Sequence, residues 1–119
     1  MARGIKELVL NDRDRFVLFL LDKFRVLDVK SLTVLAGFSS INYSDIRLLK
    51  LAKYGYIKRE KLVNTLPLVH WLTKKGYFEI HDEDKRIAKP VLATLEHEIL
   101  IGRVASHLVL KNGVEVNQM

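Results

Sequence analysis

The chain has 119 residues, with 20 lysines and arginines against 14 aspartates and glutamates, and it contains no cysteine. This length predicts a single globular domain with its own core. The absence of cysteine excludes a disulfide scaffold, cysteine-ligated zinc, iron–sulfur clusters and thiol catalysis. No segment approaches the roughly 20 apolar residues of a membrane span, and the first residues lack the apolar region of a signal peptide. We therefore expect a cytoplasmic protein with no membrane partner.

Three consecutive segments in the first half of the chain have apolar residues at helical spacing. Asp28 and Ser40 are suitable N-cap residues for the second and third helices, and Gly37 and Gly55 are suitable residues to follow them. Three helices with a turn of a few residues between the second and third are typical of a helix-turn-helix. The predicted helices span residues 12–25, residues 29–36 and, after Ser39 or Ser40, the residues up to Tyr54.

The pattern then changes from helix to strand. Residues 56–63 are extended and basic, residues 64–67 form a turn, and residues 68–73 are rich in β-branched and aromatic side chains, which predicts a β-hairpin. A basic hairpin directly after a helix-turn-helix is the wing of a winged helix. Trp71 in the second strand is expected in the core rather than as an exposed ring that stacks on single-stranded nucleic acid. Thr73 is expected to cap a short helix over residues 74–80.

The remaining chain is predicted to be a charged linker over residues 81–90 and a long helix over about residues 91–110. Apolar and small residues form a stripe along this helix, which needs a partner. That partner is either the first helix of the same chain or the same helix of a second subunit. We expect an edge strand after the helix, with a hairpin over residues 108–116 as the alternative. The residues assigned to a dimer interface are Leu92, Leu95, Ile99, Gly102, Ser106 and Val109.

The predicted fold class is therefore mainly α with a small β-hairpin wing (α+β), a winged helix-turn-helix with an additional C-terminal helix. In this division residues 1–80 form the winged-helix domain and residues 81–90 form the linker. Residues 91–119 form a dimerisation or packing helix with a tail.

Basic residues are concentrated in one stretch, residues 47–75, which holds eight lysines and arginines and one glutamate. This excess favours a face that binds a polyanion, and the alternative is a solvated basic surface. The third helix of a helix-turn-helix presents its first turns to the major groove. In the wing, Arg59 and Lys61 share one strand face and are preferred over Lys58 for phosphate contacts. The candidate DNA-binding residues are Ser40, Asn42, Tyr43, Ser44, Arg47, Lys50, Lys58, Arg59 and Lys61.

Catalytic and metal-binding patterns are not found. Residues 96–98 resemble the start of a zinc-protease helix, but Ile101 stands where the second histidine is required. His70, His97 and His107 are expected to be ordinary surface or interface residues. No glycine-rich phosphate loop or nucleophile elbow is present, so we expect no enzyme activity, no metal and no cofactor.

Four short motifs stand in the order found in one family. They are Asn11-Asp12-Arg13-Asp14-Arg15, Leu48-x-x-Leu51-x-x-x-Gly55-Tyr56-Ile57, Leu72-Thr73-Lys74-Lys75-Gly76 and Leu95-Glu96-His97-Glu98-Ile99. Over residues 10–109 the chain resembles the plasmid replication-relaxation family of winged-helix proteins. The resemblance implies DNA binding linked to the replication, relaxation or mobilisation of a plasmid or similar element.

The expected function is non-enzymatic binding of double-stranded DNA by a winged-helix homodimer, at a replication or transfer origin or at a promoter. Two alternatives stay open. One is a winged-helix transcriptional repressor whose last helix is moved by a ligand or a partner. The other is a protein–protein interaction module whose basic stretch faces an acidic protein partner.

Overall fold

The computed structural model describes residues 8–83 and 85–112. Within these residues the chain is mainly helical with a small antiparallel sheet, which confirms the α+β class. The elements in chain order are α1 (Asp12–Phe24), β1 (Leu27–Asp28), α2 (Val29–Leu35), α3 (Ile41–Lys53), β2 (Ile57–Glu60), β3 (Val69–Leu72), α4 (Lys74–His81) and α5 (Leu92–Asn112).

Side-chain caps begin the helices where the sequence predicts them. The Asp28 carboxylate accepts the backbone N–H of Ser31 at 2.9 Å, and the Ser40 hydroxyl accepts that of Tyr43 at 3.1 Å. These bonds satisfy backbone donors that have no partner within the helix. Gly55 follows α3 with a φ of 86°, a left-handed conformation that favours glycine. The predicted limits of the first four helices are therefore correct to within one or two residues.

The sheet has the order β1-β3-β2, with both pairs antiparallel. His70 in β3 lies opposite Leu27 of β1 on one side and opposite Arg59 of β2 on the other. The predicted hairpin is present, but its strands are shorter than expected because β2 ends at Glu60. Strand β1 was not predicted from the sequence, since two residues are too few to show an alternating pattern.

The main core lies between the first three helices and the sheet. One face of each helix contributes apolar side chains at spacings of three and four residues. α1, α2 and α3 each bury leucines completely, and Trp71 of β3 is buried as predicted. The fully buried leucines of the three helices are Leu18, Leu20, Leu21, Leu32, Leu48 and Leu51.

Helix α5 packs on the rest of the described chain, mainly on α2 and on β1. Gly102 makes the approach close, because a Cβ atom at this position would lie 2.5 Å from Leu27 Cδ2. Leu95 and Ile99 are buried in a second apolar cluster with Trp71 and its neighbours. The stripe predicted on this helix therefore has a partner within the chain, which is α2 rather than α1.

This packing corrects the dimer interface assigned from the sequence. Leu95, Ile99 and Gly102 are buried inside the chain, so a second subunit cannot contact them without opening the fold. Ser106 and Val109 are half-buried on the same side. Leu92 is exposed and does not join the packed stripe. The stripe was identified correctly, but it serves internal packing.

Helix α5 continues to Asn112, the last described residue, rather than ending near residue 110. The alternative hairpin over residues 108–116 is wrong in its first half, because residues 108–112 are helical. The predicted edge strand lies outside the described residues. Among the helices that are described, none has the length and apolar character needed to cross a membrane.

Candidate functional site

One side of α3 faces away from the core and forms the candidate site. Its buried side carries Ser44, Leu48 and Leu51, so the helical period places another set of residues outward. Ile46 and Leu49 in that set are 62% and 59% exposed and lie three residues apart, so they form a small apolar patch on this side of the helix. The outward face of α3 comprises Asn42, Tyr43, Ile46, Leu49, Lys50 and Lys53.

A surface groove of about 390 Å³ follows the first turns of α3, from Ser40 to Lys50. The Tyr43 ring lies at this end of the helix, 6.1 Å from the ring of Phe38. The guanidinium of Arg13, from α1, lies 5.0 Å from the Phe38 ring centroid. Arg13 is exposed and adds a cation near the start of α3 that the sequence analysis missed. Only the tertiary contact between α1 and residue 38 reveals it.

Two of the predicted DNA-binding residues in the first turn of α3 have structural roles. Ser44 is fully buried, and its hydroxyl bonds with the Thr33 hydroxyl and donates to the Ile41 carbonyl at 2.9 Å. It is therefore not available to DNA. Ser40 is exposed, but its hydroxyl is used as the N-cap of α3.

Arg47 is held by Asp14 of α1, which corrects its predicted role in base contact. Arg47 Nε donates to Asp14 Oδ1 at 2.7 Å, and its Nη2 pairs with Asp14 Oδ2. The Asp14 carboxylate is completely buried and also accepts the backbone N–H of Asn11 at 2.9 Å. The hydrogen bond to Asp14 raises the pKa of Arg47 above its ordinary value. This guanidinium therefore joins α3 to α1. The two N–H groups that would make a bidentate contact with a base are already paired with Asp14.

Arg59 is also held by an ion pair. This corrects the prediction that the strand face of Arg59 and Lys61 is preferred over Lys58 for phosphate contacts. Its guanidinium pairs with Asp45 of α3 and lies 3.2 Å from His70 Nε2. Because this contact turns Arg59 inward, Lys58 is the exposed basic residue of β2. Lys61 is exposed just beyond the end of the strand.

His70 is buried completely within the chain, contrary to the expectation of a surface or interface residue. Its Nδ1 lies 3.0 Å from the Leu27 carbonyl, which can only accept, so Nδ1 carries the hydrogen. Its Nε2 then accepts from Arg59, and the ring is neutral. Burial lowers the pKa of His70 to about 4. By contrast, His97 and His107 are exposed, as expected.

Four exposed lysines remain around α3 and β2 without an ion pair among the described residues. The acidic groups nearby are already matched, because Asp45 pairs with Arg59 and Glu60 pairs with Lys89 at 3.6 Å. Helix α3 packs against β2, so the lysines of both elements belong to one region. These four are Lys50, Lys53, Lys58 and Lys61.

Three members of the outward face of α3 were not predicted. Ile46, Leu49 and Lys53 follow Asn42 at intervals of four, three and four residues, so helical spacing could have identified them. The residues predicted on this helix are instead the polar and basic ones of its first turns.

The described residues do not offer a metal site. Across residues 8–83 and 85–112, no three histidine, aspartate or glutamate side chains lie close enough to share a metal ion. Comparisons with protein-family models, with curated proteins and with solved structures find no match to this chain.

Proposed function

We propose that this chain is a winged helix-turn-helix protein that binds duplex DNA. The order α1-β1-α2-α3-β2-β3, with β1 at the edge of the sheet beside β3, supports this proposal. In such an arrangement α2 and α3 are the helix-turn-helix and the β2–β3 hairpin is the wing. The exposed side chains of the candidate site suit the binding of DNA rather than catalysis.

The observation that carries the proposal is the set of exposed lysines around the outward face of α3. Lys50 and Lys53 lie on the helix, and Lys58 and Lys61 lie on the adjacent wing. Because nearby carboxylates are matched by other cations, these four charges are free to contact phosphates. The helix would enter the major groove while the wing contacts the neighbouring backbone.

The experiment is a fluorescence-anisotropy titration with a random duplex at about 50 and 200 mM salt. We expect affinity to fall steeply with salt, and the variant Lys50→Ala/Lys53→Ala to reduce the magnitude of the salt slope by about 2. The matched control is Lys85→Ala/Lys111→Ala, which removes two exposed lysines elsewhere. An equal reduction of the salt slope in both double variants would mean that net charge alone drives the binding.

We also propose that the protein is a homodimer that pairs through the exposed side of α5. Leu100, Ile101 and Val104 are exposed there, opposite the packed stripe. Arg103 of the same helix is not available to a second subunit, because its Nε donates to the buried Asp28 carboxylate at 2.9 Å. In an antiparallel pair, the two copies place this same apolar patch against each other, and this self-complementarity favours a second copy as the occupant.

The second candidate function is a protein–protein interaction module. It is favoured by the exposed apolar side chains Ile46 and Leu49, which a protein partner with an apolar, acidic groove would cover. In that case duplex DNA binds weakly and with the same affinity whatever its sequence. The proposed site of action, at a replication or transfer origin or at a promoter, applies only to the DNA-binding function.

A further inference from the structure

The chemistry of the outward face of α3 indicates which base pairs it would contact. This inference rests on the proposed DNA binding and goes beyond it to the substrate class. We propose that α3 selects A·T-rich duplex DNA, with Ile46 and Leu49 contacting the 5-methyl groups of thymine and Asn42 pairing with adenine.

The first argument is the exposed apolar surface. Ile46 and Leu49 are three residues apart and mostly exposed, so both project from the same side of the helix. Residues at this spacing have Cβ atoms about 5–6 Å apart. In the major groove the thymine 5-methyl is the group that offers an apolar contact. A helix with these two side chains at its centre therefore gains from thymine and gains little from a G·C pair.

The second argument is that the outward face of α3 carries no arginine of its own, and that the nearby Arg13 of α1 lies over the Phe38 ring at 5.0 Å. Arginine is the usual bidentate partner of guanine O6 and N7, but Arg47 donates from Nε and Nη2 to the buried Asp14. Lys50 and Lys53 are compact charges on flexible stems, and they suit phosphates better than a planar pair with a base.

The third argument is the exposed amide of Asn42, one helical turn before Ile46. An asparagine can donate to adenine N7 and accept from adenine N6–H in bidentate fashion. An amide and two apolar side chains in a row thus match an adenine with nearby thymines.

The test removes the thymine 5-methyl groups from the DNA. We would compare alternating dA-dT duplexes with duplexes in which every thymine is replaced by deoxyuridine, and with alternating dG-dC duplexes, at fixed salt. Wild-type protein is expected to bind the dA-dT duplex about tenfold tighter than the deoxyuridine duplex, the ratio for burying two methyl groups. It is expected to bind the dG-dC duplex more weakly than dA-dT.

The double variant Ile46→Ala/Leu49→Ala separates the contact from the fold, because both side chains are exposed and neither belongs to the core. This variant should bind the dA-dT and deoxyuridine duplexes equally well. The control Phe78→Ala/Val91→Ala removes two exposed apolar side chains that lie outside α3 and should keep the wild-type preference.

The outcomes distinguish this inference from the proposed function. Salt-dependent binding with equal affinity for the dA-dT and deoxyuridine duplexes would overturn the thymine contact and leave DNA binding in place. Tighter binding of dG-dC would overturn the A·T preference in the same way. No binding to any duplex would overturn both and favour a protein partner at Ile46 and Leu49.

Discussion

At the residue scale, the charged groups of the candidate site divide into those that hold the fold and those that are free. Arg47 and Arg59 lie within three residues of exposed lysines in sequence, yet each is paired with a carboxylate on α1 or α3. Arginine suits such positions because its planar fork can make two hydrogen bonds with one carboxylate. The site is therefore described by lysines, an asparagine and apolar side chains.

The pair between Arg47 and Asp14 is expected to contribute to stability rather than to base selection. Arg47→Ala leaves a buried carboxylate without its cation, so we expect the free energy of unfolding to fall by about 2–4 kcal/mol. The control Arg15→Ala breaks an exposed pair with Glu79 and should change the free energy by less than about 1 kcal/mol. Urea denaturation followed by circular dichroism measures both. An Arg47→Ala variant as stable as wild type would contradict this role.

Because His70 is buried, we expect the protein to lose stability at acid pH. The pKa of His70 is about 4 in the folded chain, against an ordinary value of 6.5. Between these two pH values the unfolded chain binds a proton that the folded chain does not, so stability rises with pH. The contribution of His70 is fully present above about pH 6.5 and falls by about 3 kcal/mol as the pH drops to about 4. Arg59, Asp45 and Asp28 carry the nearby charges.

The measurement is urea denaturation of wild type, His70→Gln and His97→Gln at several pH values. Wild type and His97→Gln should lose stability more steeply than His70→Gln as the pH falls through the histidine range, because glutamine does not titrate and His97 is exposed. Equal slopes for wild type and His70→Gln would show that His70 does not control the acid response.

At the element scale, close contacts set how the helices dock. Helix α4 begins with Thr73 as its N-cap, whose hydroxyl accepts the Gly76 N–H at 3.1 Å and donates to the Tyr56 carbonyl at 2.9 Å. The same turn brings Gly76 against the backbone of Tyr56. Helix α4 therefore packs directly on the backbone at the start of β2, because Gly76 has no side chain at the point of contact.

Gly76→Ala is expected to destabilise the protein although alanine favours helices. Its Cβ would lie 2.2 Å from the Tyr56 carbonyl oxygen, a backbone atom that cannot turn away. Overpacking of this kind costs about 1–3 kcal/mol, which exceeds the gain of about 1 kcal/mol from helix propensity. Thermal denaturation compares it with Gly37→Ala, where no atom lies within 4 Å and only the positive φ opposes alanine. A rise in Tm for Gly76→Ala would contradict the close approach.

At the scale of the whole molecule, α5 closes the fold on one side and leaves an apolar face on the other. Its inward residues complete the core against α2 and the sheet, so the helix is part of the same packed unit. Its exposed apolar residues, Leu100, Ile101 and Val104, are not covered by any other part of the described chain. The proposed homodimer therefore uses a surface that the packed stripe does not include.

The proposed homodimer predicts a sensitive position at Val104. Val104→Glu introduces a like charge on each side of the antiparallel pair, so sedimentation equilibrium should show a monomer where wild type shows a dimer. Phe78→Glu, at an exposed apolar position on α4, is the matched control and should remain a dimer. A wild-type chain that is monomeric at the highest concentrations measured would refute the pairing of α5.

The amino-acid sequence alone determined the helices, their caps and the basic hairpin, because hydrophobic period and capping side chains act over a few residues. The tertiary structure decided the strand β1, the partner of α5 and the availability of the basic side chains. Asp14 and Arg47 are 33 residues apart, and no local pattern predicts which carboxylate a guanidinium will find. For the same reason the burial of His70 and the freedom of Lys58 became evident only from the packed sheet, where register sets which side chains turn inward.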